Sequence, residues 1–266
     1  MRAALHVPGH FGEWLQGRIG AEGPVALVTL PAPGLGVTAS MRSGGARLAL
    51  SGAGLSLSRA RRFLLESGLN LTGRIHLRPM VDPGLGTGVS TAALVALARL
   101  AGWAGPPEAL ARACIAVEGA SDPLMFPSPE RLLWASRRGA ALAELPPLPR
   151  YDLLGGFCGG PSRTDPRDAD FADISDLVVA WRRAPDLATC AALASESAAR
   201  CSARRGPARE TAPDLAKELG ALGWIRAHTG AARGLIFAPG TIPAGAAAVV
   251  RAAGWCGLRR ITGGER

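Results

Sequence analysis

Lysine is nearly missing from this 266-residue chain: Lys217 is the only one, so almost all the basic charge is arginine. No Gly-Lys-Ser/Thr run exists, which excludes a Walker A phosphate loop. Tyrosine occurs once, and aromatics make up 5% of residues. The interleaving of aromatic and basic residues that stacks nucleic-acid bases is therefore absent. The formal net charge of +9 falls in scattered pairs, Arg61-Arg62, Arg137-Arg138, Arg182-Arg183, Arg204-Arg205 and Arg259-Arg260, rather than in one stripe. A nucleic-acid partner is not expected. Five cysteines, an odd number at wide spacings, offer no metal-ligand pattern. They read as reduced thiols of a cytoplasmic protein. No apolar run is long enough to cross a bilayer, and Met1–His10 lacks the apolar stretch of a signal peptide. No membrane partner is expected.

Apolar residues, in contrast, make up 48% of the chain, and charged ones only 19%. That balance builds a core and excludes disorder. Residues 1–50 read as β-rich, with short runs Ala3–Val7, Val25–Leu30, Gly36–Met41 and Arg47–Leu50 between Gly/Pro turns. Helical spacing covers Ser58–Ser67, and Arg74–Arg78 alternates like a strand. Helices are expected over Ser90–Ala101 and Pro107–Glu118, with a short one over Pro129–Ser136. The proline-rich stretch Glu144–Arg150 divides the chain into residues 1–147 and 148–266. Beyond it, Tyr151–Gly155 and Leu177–Trp181 read as strands. Asp186–Arg204 and Ala212–Leu222 read as helices. Strands at Trp224–His228 and Gly234–Ala238 flank a turn, and Ala244–Ala253 is the last helix. Strands and helices mix without strict alternation, so the fold class expected is α+β.

The sharpest local signal is Asp82-Pro-Gly-Leu-Gly-Thr-Gly-Val-Ser-Thr-Ala92. Gly84, Gly86 and Gly88 alternate immediately before a helix. Glycine lets backbone N–H groups approach a ligand closely. A helix N-terminus adds unpaired N–H donors and a positive dipole. Together they suit a phosphate, and the surplus of positive charge would help attract an anionic nucleotide. Ser90 and Thr91 can offer hydroxyls to phosphate or Mg²⁺, or one of them can simply cap the helix.

Pro83–Ala93 resembles the phosphate-binding motif of the GHMP kinase superfamily, with Gly86-Thr-Gly-Val-Ser-Thr-Ala92 filling its Gly-x-Gly-Ser-Ser-Ala pattern. Two more segments agree in order. Pro8-Gly-His-Phe-Gly-Glu-Trp-Leu-Gln-Gly17 resembles the first motif, and Ala227-His-Thr-Gly-Ala-Ala-Arg-Gly-Leu-Ile-Phe237 the third. The likeness is greatest to the L-threonine kinases of cobalamin synthesis. It is carried by Gly12-Glu-Trp-Leu-Gln-Gly17, Ala120-Ser-Asp-Pro-Leu-Met-Phe126, Ala227-His-Thr-Gly230, and more loosely Arg163-Thr-Asp-Pro166 and Ser197-Ala198. The chain departs from these patterns at Val89, Leu85, Ala93, Phe11 and Gly119.

The resemblance implies a two-domain fold. A ribosomal-protein-like β/α domain would come first and a ferredoxin-like domain second, with the active site in the cleft between them. It implies ATP and Mg²⁺, and a small hydroxy amino acid, L-threonine, as acceptor. Another small alcohol (homoserine, mevalonate, a sugar) or a catalytically weakened nucleotide-binding protein are the alternatives. Pro83, Gly84, Gly86, Thr87, Gly88, Ser90 and Thr91 would hold the nucleotide. Ser90 and Asp122 would hold the metal, with Asp122, Glu13 and Ser90 catalytic. Gly12, Glu13, Gln16, His228, Thr229 and Gly230 would bind substrate. His10 is placed beside the same cleft, whereas His6 and His76 lie in strand patterns. The oligomeric state, with a homodimer as one option, is left open.

Overall fold

The computed structural model describes residues 2–168, 170–184, 186–207 and 209–265. Two long strands, β1 (Arg2–Arg18) and β2 (Val25–Arg42), form an antiparallel pair at its centre. Each carries through turn-like glycines and prolines that the sequence suggested would interrupt it. Register shifts at Pro8/Gly9 and from His10 to Leu15 absorb the irregularity, as bulges do next to functional residues.

The remaining strands are β3 (Leu48–Gly52), β4 (Gly73–Pro79), β5 (Leu132–Ala135), β6 (Ala140–Glu144), β7 (Tyr151–Phe157), β8 (Gly223–Arg226), β9 (Ala232–Phe237) and β10 (Cys256–Gly263). One sheet orders them β10-β7-β9-β8-β1-β2-β4-β3, with β5 bonded to β2 and β6. The join between β8 and β1 is one residue pair wide, Glu13 opposite Arg226.

Helix α2 (Val89–Leu100) packs on β1, β2 and β4, and α1 (Leu57–Glu66) and α3 (Pro107–Glu118) pack on it and on each other. Nine consecutive-face and neighbouring residues of α2 are buried, among them Leu94, Val95 and Leu97, so it is a central helix rather than an amphipathic surface one. Helices α4 (Ser175–Trp181), α5 (Leu187–Arg205), α6 (Ala212–Glu218) and α7 (Ala246–Ala252) belong to the second half. Asp186 caps α5 by accepting from the Thr189 N–H at 2.8 Å.

Residues Leu177–Trp181 are helical, not a strand. Asp173 accepts from both the Ser175 N–H and hydroxyl just before the helix, and the buried set Leu177, Val178 and Trp181 has helical rather than alternate spacing. The Pro129–Ser136 stretch keeps a single 3-10 turn, Pro129–Arg131, before β5 begins. Strands β6 and β10 carry too little apolar alternation to be read from sequence. In the proline-rich stretch, Leu145 and Leu148 are buried in the core.

Behind β1 lies an aromatic cluster. Trp14 is fully buried, with the Tyr151 ring edge-on at 4.9 Å and Trp181 at 5.8 Å.

Candidate active site

The glycine loop lies against β1 on one side and the β8–β9 turn on the other. Four successive carbonyls are taken: Gly84 O accepts from Ser162 N, Leu85 O from Ala232 N, Gly86 O from Gly12 N and Thr87 O from His10 N. In a planar trans peptide the N–H points opposite to its carbonyl. The N–H groups of Gly86, Thr87 and Gly88 are thereby turned away from these partners. All three residues line a cavity of about 850 Å³.

Helix α2 begins here. Its N-cap is Gly88, at φ 70°, and no side chain caps it. Ser90 and Thr91 sit inside the first turn, so the simple capping reading of them fails. The first-turn donors are left for a ligand, which is the arrangement that binds phosphates.

The glycines have a second reason to be there. A Cβ on Gly86 would meet Ala227 Cβ and lie 2.6 Å from the Thr229 carbonyl oxygen. One on Gly88 would lie 2.9 Å from His10 Nε2. The three motifs therefore touch through glycine.

Across the cavity stands Asp122, in the loop after Gly119 ends α3 at φ 77°. Thr91 fixes it twice: its hydroxyl donates to Asp122 Oδ2 at 3.3 Å and accepts from the Asp122 N–H at 3.2 Å. His10 Nε2 lies 3.4 Å from the same oxygen, and His10 Nδ1 lies 3.8 Å from Glu13 Oε1. Burial opposes charge on His10. The carboxylates of Asp122 and Glu13, with the Gly12 carbonyl, outweigh it and push the imidazole up to about 9. Burial also works against ionisation of Asp122, but the His10 charge and the Thr91 hydroxyl hold it below the usual carboxylate range. Glu13 is pushed up to about 7, chiefly by burial. Its Oε2 accepts the His228 N–H at 2.5 Å. Burial, with the Arg205 and Arg137 guanidiniums nearby, pushes the His228 ring down to about 3, so it is neutral. That ring stacks on Phe171 at 4.2 Å.

This pairing sets a pH dependence. The folded His10 pKa lies above the ordinary 6.5, so its stabilising effect is complete below pH 6.5 and is lost as pH rises through about 9. Urea titrations from pH 6 to 10 should show wild type losing up to ~3 kcal/mol over that window. In a Glu13→Gln background, which removes the carboxyl titrating near 7, His10→Gln should lose much less across it. Parallel losses in both proteins would show that the imidazole is not charged.

The cavity gathers Glu13, Pro83, Gly84, Gly86, Thr87, Gly88, Ser90, Thr91, Asp122, His228 and Thr229. Gly12, Gln16 and Gly230 are not on its wall. Gly12 backs the glycine loop, and Gly230 packs on it, with its Cβ position 2.6 Å from Gly86 N. Gln16 is buried behind the site, its amide donating to the Arg226 carbonyl at 2.8 Å. Of two further wall residues, Arg59 was not singled out from sequence, and Glu118 stood out only as a glutamate one residue before Gly119, where the resembled motif carries one. Arg59 ion-pairs with Glu118 and reaches Ser90 Oγ at 3.4 Å. Glu118 keeps its other oxygen, Oε1, buried with no hydrogen-bond partner. Nothing in the local pattern of a helix-end glutamate distinguishes it from a solvated one.

No group of three or more His, Cys, Asp or Glu side chains converges as a metal site among the described residues. Mg²⁺ on a triphosphate does not need one, since one or two carboxylates plus phosphate oxygens and water suffice. The Ser90 hydroxyl and the orphaned Glu118 Oε1 fit that requirement, with Asp122 on the same wall.

No protein-family profile matches the chain, and no curated protein sequence matches it. Solved structures do. A phosphotransferase related to the CoA biosynthesis pathway superposes with TM-score 0.63 at 15% identity, covering 100% of this chain and 96% of that one. Streptococcus pneumoniae phosphomevalonate kinase gives 0.62 at 13% identity, covering both chains fully. Homoserine kinase from Cytophaga hutchinsonii gives 0.57 at 15% identity, covering 99% and 94%. The chain has the α+β fold of the GHMP small-molecule kinases over its whole length.

Proposed function

We propose that this chain is an ATP-dependent kinase that transfers the γ-phosphate to the hydroxyl of a small alcohol. The observation that carries the reading is the uncapped start of α2 with its outward loop N–H groups, facing Asp122 and His10 across one cavity. Phosphoryl transfer needs mainly positioning and charge neutralisation. The loop and helix start would cradle the phosphates, with Arg59 beside Ser90 as a counter-charge. Ser90 and Glu118 would hold Mg²⁺, which when bound neutralises charge on the triphosphate. Asp122, ionised and held by Thr91 and His10, would accept the hydrogen bond of the acceptor hydroxyl and aim it. The His10 imidazolium would offset charge on the transferring group. Gln16 and Gly12 would shape the substrate side from behind.

Among acceptors, the motif likeness favours L-threonine, giving O-phospho-L-threonine for the cobalamin linker in a cytoplasmic enzyme. The deciding experiment is ADP release with L-threonine, L-serine, L-homoserine, mevalonate and galactose as acceptors. Turnover of threonine above the others supports the full reading. Turnover of another alcohol alone removes threonine, and neither ATP binding nor turnover removes the kinase.

Replacing Glu118 tests the metal assignment. Glu118→Gln should raise the Mg²⁺ concentration needed for half-maximal ATP binding by roughly tenfold or more. Metal-free ATP binding should stay near wild type. An unchanged Mg²⁺ requirement would take Glu118 out of the metal site.

A further inference from the structure

Beyond His228 the cleft opens into an annex of about 400 Å³. Its wall carries five arginines, Arg137, Arg163, Arg205, Arg226 and Arg233, against two carboxylates, Asp165 and Asp168. No residue of the glycine loop lines it, nor do Arg59 or Glu118. It shares Arg137, Ser162, Arg163, Thr164, His228 and Thr229 with the main cavity. Ser162 and Gly230 of its wall back onto the glycine loop, Ser162 N donating to Gly84 O at 2.8 Å, so the annex is a side chamber of the main cavity whose wall carries arginines in place of the loop.

Its cations are not all neutralised by the protein. Arg205 ion-pairs with Asp168, and Arg233 with Glu210. Arg226 is 4% exposed, yet its guanidinium donates only to the Ser202 hydroxyl at 2.8 Å and the Ala227 carbonyl at 3.3 Å among the described residues. Arg137 donates to the Asp165 backbone carbonyl at 3.3 Å. Arg205 Nη1 and His228 Nδ1 are both buried with no hydrogen-bond partner. Arg226 feels Glu210 and Glu13 nearby but bonds to neither; a buried guanidinium with no carboxylate bonded to it is costly, and an anion in the chamber relieves the cost. Arginine's planar fork suits carboxylate and phosphate oxygens. Phe171 fixes the wall: the Arg205 guanidinium lies 4.0 Å from its ring centre, and the neutral His228 ring stacks on it.

Resting on the kinase reading, we infer that this annex binds the oxyanion end of the acceptor, so that the enzyme selects an alcohol bearing a carboxylate or phosphate. The chamber gives an uncharged sugar or polyol no counterpart for its positive wall. An amino-acid acceptor would place its carboxylate here and its ammonium outside, toward Glu13 and Asp122.

The test uses the full chain saturated with AMP-PNP, which fills the phosphate cradle and leaves the annex as the remaining anion site. Acetate and inorganic phosphate are then titrated separately by calorimetry. At least one should bind, and the double variant Arg137→Gln/Arg205→Gln should weaken it by tenfold or more while AMP-PNP affinity stays within twofold. Acetate binding more tightly identifies a carboxylate acceptor, and phosphate a phosphorylated one. No binding of either anion, or binding indifferent to the two arginines, overturns the inference. If AMP-PNP itself does not bind, the kinase reading falls. The same anion titration on the free protein then still decides the annex by the same arginine criterion. If the double variant does not fold, as judged by circular dichroism, Arg137→Gln alone is used, with a threefold or greater weakening expected.

Discussion

Asp122→Asn should leave the fold intact and cut kcat by roughly a hundredfold or more, the size of effect seen when one charge-stabilising group is removed from a transition state. The two side chains are nearly isosteric, and the bond from the Asp122 N–H to the Thr91 hydroxyl survives the change. What goes is the negative charge that faces His10 at 3.4 Å. With that charge gone, the imidazole loses its largest source of support for staying protonated. The variant should therefore also shift its activity profile, its alkaline limb moving to lower pH than in wild type. ATP affinity should change by less than threefold, since the cradle is built from other residues. Steady-state kinetics across pH, with nucleotide affinity measured separately, checks all three outcomes. Near-normal turnover would reduce Asp122 to a loop-forming residue.

The second large effect expected is structural and comes from a single methyl group. Gly86→Ala should destabilise the protein by about 2–4 kcal/mol, from left-handed strain of 1–2 kcal/mol plus overpacking of similar size. The residue sits at φ 84°, and its added Cβ would press on Ala227 and the Thr229 carbonyl. Gly102→Ala is the control: φ is 82°, but nothing lies within 4 Å of its Cβ position. It should lose only the strain, about 1–2 kcal/mol. Urea midpoints at unchanged slope would measure both. Equal losses would show that the contact between the loop and the β8–β9 turn does not matter to stability. Gly86→Ala should also weaken ATP binding, because the loop must move off that turn to make room.

How much of this was legible beforehand depends on how local the signal was. The glycine loop, α2 and α3 were readable because Gly, Pro and apolar spacing act within a dozen residues. The convergence of Glu13, Ser90, Asp122 and His228 followed only from motif likeness, since nothing in one segment reports on another. Even so, the loop glycines were read as room for a ligand, and Gly86 and Gly88 prove equally to be room for Ala227 and His10. The strand predicted at Leu177–Trp181 failed because five residues are too few to separate periods of 2 and 3.6.

The arginines are the clearest loss. As a sequence they read as pairs without a stripe. In three dimensions Arg137 and Arg205 turn into the annex beside Arg226 and Arg233, whereas Arg204 pairs outward with Asp170. Charge clustering across a fold leaves no trace in spacing. His10 and Glu118 were visible as residue types, but their weight comes from burial and from partners more than a hundred positions apart or on other elements, which no window contains.

The aromatic cluster behind β1 has a practical consequence. The only tyrosine, Tyr151, sits 4.9 Å from the Trp14 ring, close enough for its excitation to pass to the indole before it can emit. Native protein should therefore fluoresce as tryptophan alone, and tyrosine emission should emerge only when the two halves of the chain part. The urea titrations above thus carry an unlabelled internal ruler, one residue away from Glu13, that reads separation of β1 from β7 independently of the loss of helix.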